Sequence, residues 1–262
     1  MIEKKPVFTA HNIKLDNGEF TIDSKKKPFS EDKNLIATKR FLNSILEFDK
    51  GIKRIADLGC LEGGYTTEFA RMGFDSLGLE VRDSNMSACR YVKSNVDLPG
   101  LHFSQDSVLN LENYGRFDAV FCAGLLYHLE NPREYLKLLG KVTRKAIIVE
   151  THFSVGDEYA PLGFSQTPFK LSEEVLHEGL RGRWYSEFPE GTSELDKDSM
   201  RWSSWENHKS FWLRKDELVR SIHEAGFTTV FEQYDNFSED FATNMGSNYY
   251  ARLRGTFIGI KQ

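Results

Sequence analysis

The sequence predicts an α/β fold with a doubly wound, mostly parallel sheet. Between residues 53 and 152, five apolar segments of strand length alternate with helical or turn segments. This alternation is typical of parallel strands joined by crossover helices. The fifth segment, residues 145–152, is an apolar run, as expected for a central strand buried on both faces. A glycine-rich turn after the first segment indicates that the sheet binds a ligand.

Length and composition are ordinary for a globular protein. The 262 residues suffice for one α/β domain of about 150 to 200 residues with additions. No apolar run approaches the roughly 20 residues of a membrane span, and the first residues lack the apolar core of a signal peptide. Three scattered cysteines, Cys60, Cys89 and Cys122, form neither a disulfide framework nor a metal-ligand spacing. We therefore expect a cytoplasmic protein with no membrane partner and no metal.

The charge balance bears on the choice of partner. With 34 basic and 39 acidic residues, the chain has a net charge of -5, which argues against a broad nucleic-acid surface. The basic run at residues 25–27 is interpreted as a solvated loop, with a local basic patch as the alternative. Nucleic acid is therefore an unfavoured partner that composition alone does not exclude.

The N-terminal part contains two predicted elements. Residues 7–23 alternate apolar and polar side chains around an Asp-Asn-Gly turn, so residues 1–32 are predicted to form a hairpin or flap. Residues 33–48 place their apolar side chains on one face of a helix. That helix is expected to pack beside the first strand of the sheet.

The first strand and its turn carry the ligand prediction. Residues 54–58 form a short apolar strand, and three glycines after it let the backbone turn sharply and approach a ligand. These glycines are Gly59, Gly63 and Gly64. A second strand, residues 76–80, ends on Glu80, where a nucleotide-binding βαβ unit places a carboxylate against ribose hydroxyls. The ligand is therefore expected to carry a ribose.

The spacing within this turn narrows the ligand further. A dinucleotide fingerprint would need a glycine at Leu61, and no Lys-Ser or Lys-Thr pair follows to make a P-loop. What remains, Asp57-x-Gly59-x-x-x-Gly63, resembles the first motif of class I S-adenosylmethionine-dependent methyltransferases. In the commonest form of the family's motif, a third glycine stands at the position of Leu61. Leucine at this position is a tolerated departure from that motif. The resemblance implies a Rossmann-like sheet with S-adenosylmethionine as cofactor, its amino-acid end on the acid and glycines and its ribose on Glu80.

The same resemblance implies further cofactor contacts. The third predicted strand is residues 101–104, and in this fold the residues that follow it touch the adenine. Asp106 is therefore the candidate to accept a hydrogen bond from the exocyclic amine of the adenine. An aspartate that caps the next turn is the alternative. The implied cofactor-binding residues are Asp57, Gly59, Cys60, Gly63, Glu80, Val81, Asp106, Ser107 and Tyr127.

A second resemblance follows the fourth strand, residues 117–122. The segment from Gly124 to Pro132 looks like the Leu-Tyr-His segment of the tRNA wobble-uridine carboxymethyltransferase group and its relatives. The resemblance implies that Tyr127 borders the methionine end of the cofactor. Asn131 and Pro132 are predicted to cap and begin the next helix.

Residues 153–212 interrupt the alternation and contain all four tryptophans. They are expected over the carboxyl edge of the sheet, so we interpret them as a lid that carries the acceptor pocket, with a small satellite core as the alternative. Residues 213–262 predict a helix and two strands that end the sheet in an antiparallel hairpin. The predicted segments are 1–32, a cofactor-binding core over 33–152, the insertion 153–212, and 213–262.

Candidate catalytic residues follow from the reaction that the resemblance implies. Methyl transfer to a hydroxyl requires a base for the hydroxyl proton, and the candidates in order are His128, His152 and His208. Each histidine has a structural role as its alternative, and Glu150 is a candidate to orient one of them. Predicted substrate contacts are Trp202, Trp205 and Arg254, of which the arginine matches a position that meets an anionic group in the wobble-uridine group.

The leading hypothesis is a small-molecule O-methyltransferase whose acceptor is a hydroxylated saccharide or natural product. The acidic chain and the tryptophan-rich insertion suit an enclosed polar and aromatic pocket. A tRNA-modifying enzyme of the wobble-uridine type is the second hypothesis, and a non-catalytic cofactor-binding protein is the third. The sequence leaves a homo-oligomer open.

Overall fold

The computed structural model describes residues 5–156, 169–234 and 253–262. Within them the strands are β1 (Arg54–Leu58), β2 (Asp75–Glu80), β3 (Leu101–Gln105), β4 (Phe117–Ala123), β5 (Thr143–His152), β6 (Val175–His177), β7 (Leu180–Ser186), β8 (Lys209–Leu213), β9 (Thr229–Gln233) and β10 (Arg254–Ile260). The helices are α1 (Lys33–Phe48), α2 (Gly64–Arg71), α3 (Asp83–Ser94), α4 (Pro132–Val142), α5 (Glu194–Ser199) and α6 (Lys215–Glu224).

Seven of these strands form one sheet in the order β3-β2-β1-β4-β5-β10-β9. β1 pairs in parallel with β2 and with β4, whereas β10 is antiparallel to both β5 and β9. The predicted doubly wound sheet with an antiparallel C-terminal hairpin is thereby confirmed. The strand order reverses beside β1, which is the place where α/β sheets bind ligands. The glycine-rich turn after β1 therefore lies at the switch point.

The burial of the strands agrees with the hydrophobic pattern. In β1, residues Ile55 to Leu58 are buried, and in β5 the run from Ala146 to Val149 is buried as well. Strands in the middle of a parallel sheet are covered on both faces and therefore consist of continuous apolar runs. The helix predicted over residues 33–48 is confirmed, and Asp32 caps it by accepting a hydrogen bond from the Leu35 amide.

The chain divides into two compact units, Met1–Phe121 and Cys122–Gln262. In the first unit, the hairpin predicted around residues 16–18 is reduced to one isolated antiparallel bridge between Lys14 and Phe20. Backbone hydrogen bonds also cross the turn, from the Leu15 amide to the Glu19 carbonyl and from the Thr21 amide to the Ile13 carbonyl. Side chains add to them: the Thr21 hydroxyl accepts from the Ile13 amide, and the Asn12 side-chain oxygen accepts from the Ile22 amide. The predicted hairpin is therefore present as a short, irregular pairing around the turn.

In the second unit, the region predicted as an insertion contains the separate antiparallel sheet β6-β7-β8. Glu178, at the turn between β6 and β7, accepts hydrogen bonds from the first amides of α4, those of Arg133 and Glu134. Pro132 begins this helix as predicted, but Asn131 does not cap it with its side chain. Its amide oxygen instead pairs with Nε2 of His177. A carboxylate from the inserted sheet therefore satisfies the helix start.

Helix length and composition also bear on membrane insertion. In the ranges that the structure describes, no helix is both long and apolar enough to cross a membrane.

Candidate functional site

The turn after β1 adopts the backbone conformation that its glycines allow. Gly59 and Gly63 have φ angles of 67° and 80°, in the left-handed region that favours glycine. Leu61, which stands where the family usually has glycine, also has a positive φ of 53°. Its amide donates to Glu80 Oε2 at 3.0 Å, a hydrogen bond that helps to hold this unfavourable conformation. The positive φ at Leu61 is therefore supported by its hydrogen bond to Glu80.

Asp57, at the end of β1, is a buried carboxylate with 3% of its surface exposed. The Thr66 hydroxyl, from the first turn of α2, donates to Asp57 Oδ2 at 2.6 Å. Burial raises the pKa of the Asp57 carboxyl to about 7, because the hydrogen bonds from Thr66 only partly offset the lost hydration and the nearby charge of Glu80 adds to the rise. Ionised Asp57 thus costs the protein free energy unless a cation joins it.

Glu80, at the end of β2, is the second buried carboxylate of the turn. It accepts hydrogen bonds from the amides of Leu61 and Arg82, at 3.0 and 2.8 Å. Burial raises its pKa as well, against the hydrogen bonds and the Arg82 charge that lower it. Val81 follows directly and is half-buried.

The two carboxylates fit the cofactor that the motif implies. Two buried acids with raised pKa values favour a ligand that brings positive charge and hydrogen-bond donors. S-adenosylmethionine has an ammonium, a sulfonium and ribose hydroxyls, and when bound it supplies an electrophilic methyl group. Asp57 is suited to the cationic end and Glu80 to the ribose, as the sequence predicts.

The surroundings of the glycines explain why small residues are needed here. A Cβ on Gly63 would lie 2.6 Å from the Phe103 ring, so this glycine allows close packing against β3. Cys60 is buried, with its Sγ 3.9 Å from Cys89 Sγ, and burial raises the pKa of both thiols. Cys60 therefore packs as a small apolar residue at the base of the turn.

Asp106 and Ser107 follow β3 and share one hydrogen-bonded turn. Asp106 accepts from the Asn110 amide and the Tyr114 hydroxyl, both at 2.8 Å, and these bonds lower the pKa of its carboxyl. The Ser107 hydroxyl accepts from the Leu109 amide and thereby caps the 3-10 turn that begins at Val108. Asp106 thus braces this turn while Ser107 caps it, and their adenine contact stays a prediction.

In the second unit, the 3-10 turn Leu126–His128 carries the first catalytic candidate. His128 Nδ1 lies 2.9 Å from Glu187 Oε1, and the Glu187 side chain is only 1% exposed. Glu187 also accepts from the Ser210 hydroxyl at 2.7 Å and from the Ser204 amide at 3.0 Å. Within residues 5–156, 169–234 and 253–262, no group bonds to His128 Nε2. This arrangement orients the imidazole through Nδ1 and leaves Nε2 to accept a proton.

The inserted sheet holds the main chain of this turn in place. Trp212 Nε1, from β8, donates to the Tyr127 carbonyl, and the Asn207 side chain donates to the His128 carbonyl, both at 3.0 Å. The Phe211 amide donates to the Leu129 carbonyl at 2.9 Å. In this unit the insertion therefore supports the Tyr-His turn directly.

Aromatic rings gather around Trp212, which is buried. His152 stacks on it with ring centroids 4.6 Å apart, and Tyr185 stacks on it at 5.1 Å. Tyr127 meets His152 edge-on at 4.6 Å. Of the predicted substrate contacts on the insertion, Trp202 is 67% exposed and Trp205 is half-buried, and their contact with an acceptor stays a prediction.

Arg254 forms a two-pronged ion pair with Glu150, one arm of which, from Nη2 to Oε2, measures 2.6 Å. Although burial alone would lower it, the pKa of Arg254 is raised by the hydrogen bonds and charge of Glu150. The guanidinium also lies over the Tyr127 ring, 5.4 Å from its centroid. Glu150, the candidate to orient a histidine, pairs with Arg254, and the carboxylate beside His128 is Glu187.

The other two histidines differ from His128 in their partners. His152 Nδ1 lies 3.2 Å from the Leu253 carbonyl, which is consistent with a structural role. The His208 carbonyl accepts from the amide of Glu187, and in the described part of the chain its imidazole has no hydrogen-bond partner. Sequence reasoning missed Glu187 because 59 residues separate it from His128 and no local pattern marks it.

Comparison with known proteins shows what this chain is similar to. Residues 56–147 match the family described as "Methyltransferase domain". The tRNA U34 carboxymethyltransferase of Wolinella succinogenes is 30% identical over 152 residues, which are 55% of this chain and 50% of that protein. The ubiquinone biosynthesis O-methyltransferase of Rickettsia bellii is 26% identical over 143 residues, 53% of this chain and 56% of that one. The alignment with the carboxymethyltransferase thus spans about half of that relative's length.

A solved structure extends the similarity to nearly the whole fold. The crystal structure of the N-terminal domain of EvdMO1 in the presence of SAH and D-fucose superposes with a TM-score of 0.65 and 22% identity, covering 96% of this chain and 90% of that one. This likeness concerns the fold. The stretch matched by the family, residues 56–147, contains Asp57, the glycine-rich turn and Glu80.

Proposed function

We propose that this chain, whose residues 56–147 match the methyltransferase-domain family, transfers a methyl group from S-adenosylmethionine to a hydroxyl of a small, saccharide-like or natural-product-like acceptor. The observation that carries the proposal is the pair formed by His128 and the buried Glu187. Transfer to a hydroxyl oxygen requires removal of its proton, whereas an amine with a neutral lone pair can be methylated without a base in the enzyme. A base with its own buried orienting carboxylate therefore suits O-methylation.

The roles of the residues follow from this pair. His128 Nε2 takes the hydroxyl proton, and Glu187 holds Nδ1 so that the ring presents a lone pair. The charge that forms on the imidazole is stabilised by the adjacent carboxylate, as in other base-and-orienter pairs. Asp57, Glu80 and the turn between them bind the donor. Positioning by these groups supplies the remaining rate enhancement, because methyl transfer is an in-line displacement.

The aromatic cluster supports an acceptor with a flat or ring-shaped apolar face. Trp212 is buried, while Tyr127, His152 and Tyr185 around it are partly exposed. Rings held rigidly by one another offer contact area at little cost in side-chain entropy. The D-fucose present with the related EvdMO1 domain is a hexose, which adds support for a saccharide.

A tRNA substrate is the second candidate, and the likeness to the U34 carboxymethyltransferases favours it. Two observations weigh against it. The chain is acidic overall, and Arg254 is neutralised by Glu150, so that an additional anionic group beside it would meet a carboxylate as well. We therefore rank tRNA below a small hydroxylated acceptor.

The test is a methyl-transfer screen with isotope-labelled donor against hydroxylated saccharides, phenolic metabolites and a tRNA pool. We expect label in a saccharide or phenol as an ether that resists base. Label in tRNA alone, or methylation only of amines, would overturn the proposal. With the acceptor identified, His128→Ala should lower kcat about 10²- to 10⁴-fold while donor affinity stays within about twofold. His208→Ala is the matched control, and equal losses in both variants would remove the special role of His128.

A further inference from the structure

The N-terminal segment makes an unusual set of contacts with the glycine-rich turn. Glu62, between Leu61 and Gly63 in the turn, is fully buried. Its Oε1 accepts from the amide and hydroxyl of Thr9, at 2.7 and 3.1 Å, and its Oε2 accepts from the amides of Ala10 and His11, at 3.0 and 2.8 Å. One carboxylate of the turn thus binds three consecutive backbone amides from more than 50 residues earlier in the chain.

His11 returns a contact in the opposite direction. Its Nδ1 accepts a hydrogen bond from the Gly64 amide at 3.0 Å, and Gly64 is the first residue of α2. Gly63 is the N-cap residue of α2 and has no side chain with which to cap the helix. His11 therefore provides the hydrogen-bond acceptor that the residues before the helix lack. Burial lowers the pKa of His11 to about 4, so the ring is neutral at physiological pH and Nδ1 can accept.

Gly64 is explained by the same contact. A Cβ on Gly64 would lie 2.7 Å from both the His11 ring and the Phe29 ring. The sequence suggested that Gly64 admits a ligand, but in the structure it makes room for His11. The His11 ring packs against Phe29, with centroids 4.3 Å apart, and meets Tyr65 edge-on. The imidazole is therefore held by packing against two aromatic rings as well as by its hydrogen bond to Gly64.

We propose that Glu62 and His11 are positioning residues for S-adenosylmethionine, acting through the turn between Asp57 and α2. Together they fasten the N-terminal segment to that turn, so we call them the N-terminal clasp. On one side of the turn Glu80 accepts from the Leu61 amide. On the other side Glu62 binds the amides of residues 9–11, and His11 accepts from the Gly64 amide. Donor affinity then depends on residues 9–11, although the predicted donor contacts all lie later in the chain.

The clasp limits the conformations of the turn before the donor arrives. Left-handed backbone at Leu61 is unfavourable unless neighbouring contacts hold it, and Gly63 can adopt many other conformations. Releasing one side of the turn lets it sample other conformations, and each of these must be abandoned when the donor binds. Loss of the clasp should therefore weaken donor binding by a conformational cost.

The acceptor of the Gly64 amide is tested by two substitutions at one position. In His11→Asn the side-chain oxygen occupies about the place of Nδ1, whereas His11→Leu fills the space without an acceptor. Binding is measured by calorimetry with S-adenosylhomocysteine on the full chain. We expect His11→Leu to raise Kd about tenfold and His11→Asn to stay within about threefold of the native protein, since one lost hydrogen bond is of that size. Hydrogen exchange of the Gly64 amide should speed up in His11→Leu and stay slow in His11→Asn.

Glu62→Gln tests the other half of the clasp. The glutamine NH2 group would point its hydrogens at backbone N–H groups of residues 9–11, which are donors as well. The Kd for S-adenosylhomocysteine should therefore again rise about tenfold. Glu68→Gln is the matched control: Glu68 is a buried carboxylate of α2 that pairs with Lys39 and Arg71 and does not face the clasp. It should lower thermal stability while donor Kd stays within about twofold.

Several results would overturn the proposal. It fails if His11→Leu and Glu62→Gln, both folded, bind the probe with native affinity. It also fails if His11→Asn loses as much affinity as His11→Leu, or if Glu68→Gln loses as much as Glu62→Gln. Should His11→Leu not be obtained as folded protein, Glu62→Gln against its Glu68 control decides. None of these measurements requires the acceptor. The clasp proposal can therefore be refuted while the proposed O-methylation stands, and the O-methylation can be refuted while the clasp proposal stands.

Discussion

Replacing Asp57 by asparagine should stabilise the protein without ligand and weaken its binding of the donor. Folding raises the pKa of this carboxyl from 3.8 to about 7 by burial. A carboxyl whose folded pKa is raised favours folding fully below its unfolded pKa, and that contribution is lost as the pH rises through about 7. At pH 8 the ionised Asp57 therefore costs about 4 kcal/mol of folding free energy.

The neutral Asp57→Asn side chain avoids this cost and can still accept the hydrogen bond from Thr66. At pH 8 we expect the unliganded variant to melt on the order of 10 °C above the native protein, since 1 kcal/mol corresponds to about 2 to 4 °C in a chain of this size. At pH 5 the gain should fall to about 1.6 kcal/mol, because Asp57 is then protonated in the folded protein but still ionised in most unfolded chains, where its pKa is 3.8. Thermal denaturation from pH 5 to 8.5 measures this trend.

Donor binding should change in the opposite direction. An ammonium or sulfonium favours ionised Asp57, so native affinity should fall below about pH 7 as the carboxyl becomes protonated. Asp57→Asn should raise donor Kd about tenfold or more at pH 8 and flatten most of this pH dependence, with Glu80 retaining a share. Asp118→Asn, which removes a buried carboxylate that binds the Lys53 and Arg54 amides, serves as the control and should leave donor affinity unchanged. A variant that gains no stability at pH 8, or keeps the full pH dependence of binding, would refute this reasoning.

Three further outcomes are expected. Glu187→Gln should lower kcat about 10- to 100-fold with donor Kd unchanged, and nitrogen NMR of His128 should show a mixture of tautomers; a single unaltered tautomer and native kcat would contradict the orienting role. Trp212→Leu should raise the acceptor KM and lower the free energy of unfolding by about 3 kcal/mol, because the Trp212 side chain is buried. Trp202→Ala changes an exposed side chain and should alter the free energy of unfolding by less than about 0.5 kcal/mol. A rise in acceptor KM in Trp202→Ala would support the predicted contact. Arg254→Lys should not fully rescue Arg254→Ala in melting temperature, because lysine lacks the planar fork that meets Glu150; full rescue would show that charge alone matters.

The donor-binding half of the candidate site could be predicted largely from the sequence. Asp57, the glycines and Glu80 lie within 24 residues, on two strands that neighbour each other in the sheet. Local chain geometry brings such residues together, since a glycine turn after a buried strand has few conformations. Alternating apolar segments likewise predicted the doubly wound sheet and the antiparallel end strands. The hairpin near the N-terminus is shorter than the alternating pattern predicts, because side-chain hydrogen bonds supplement its few backbone pairs.

The sequence by itself determined the fold class, the donor motif and the order of the histidine candidates, because these depend on contiguous patterns. Only the tertiary structure decided which charged groups meet: Glu187 with His128, Arg254 with Glu150, and Glu62 with the backbone of residues 9–11, at separations of 59, 104 and 51 to 53 residues. Glu62 and the Glu187 side chain are buried and Glu150 is half-buried, and a carboxylate withdrawn from water requires a partner without specifying where along the chain that partner lies. Tertiary packing brings distant segments into contact and so determines which group pairs with each carboxylate.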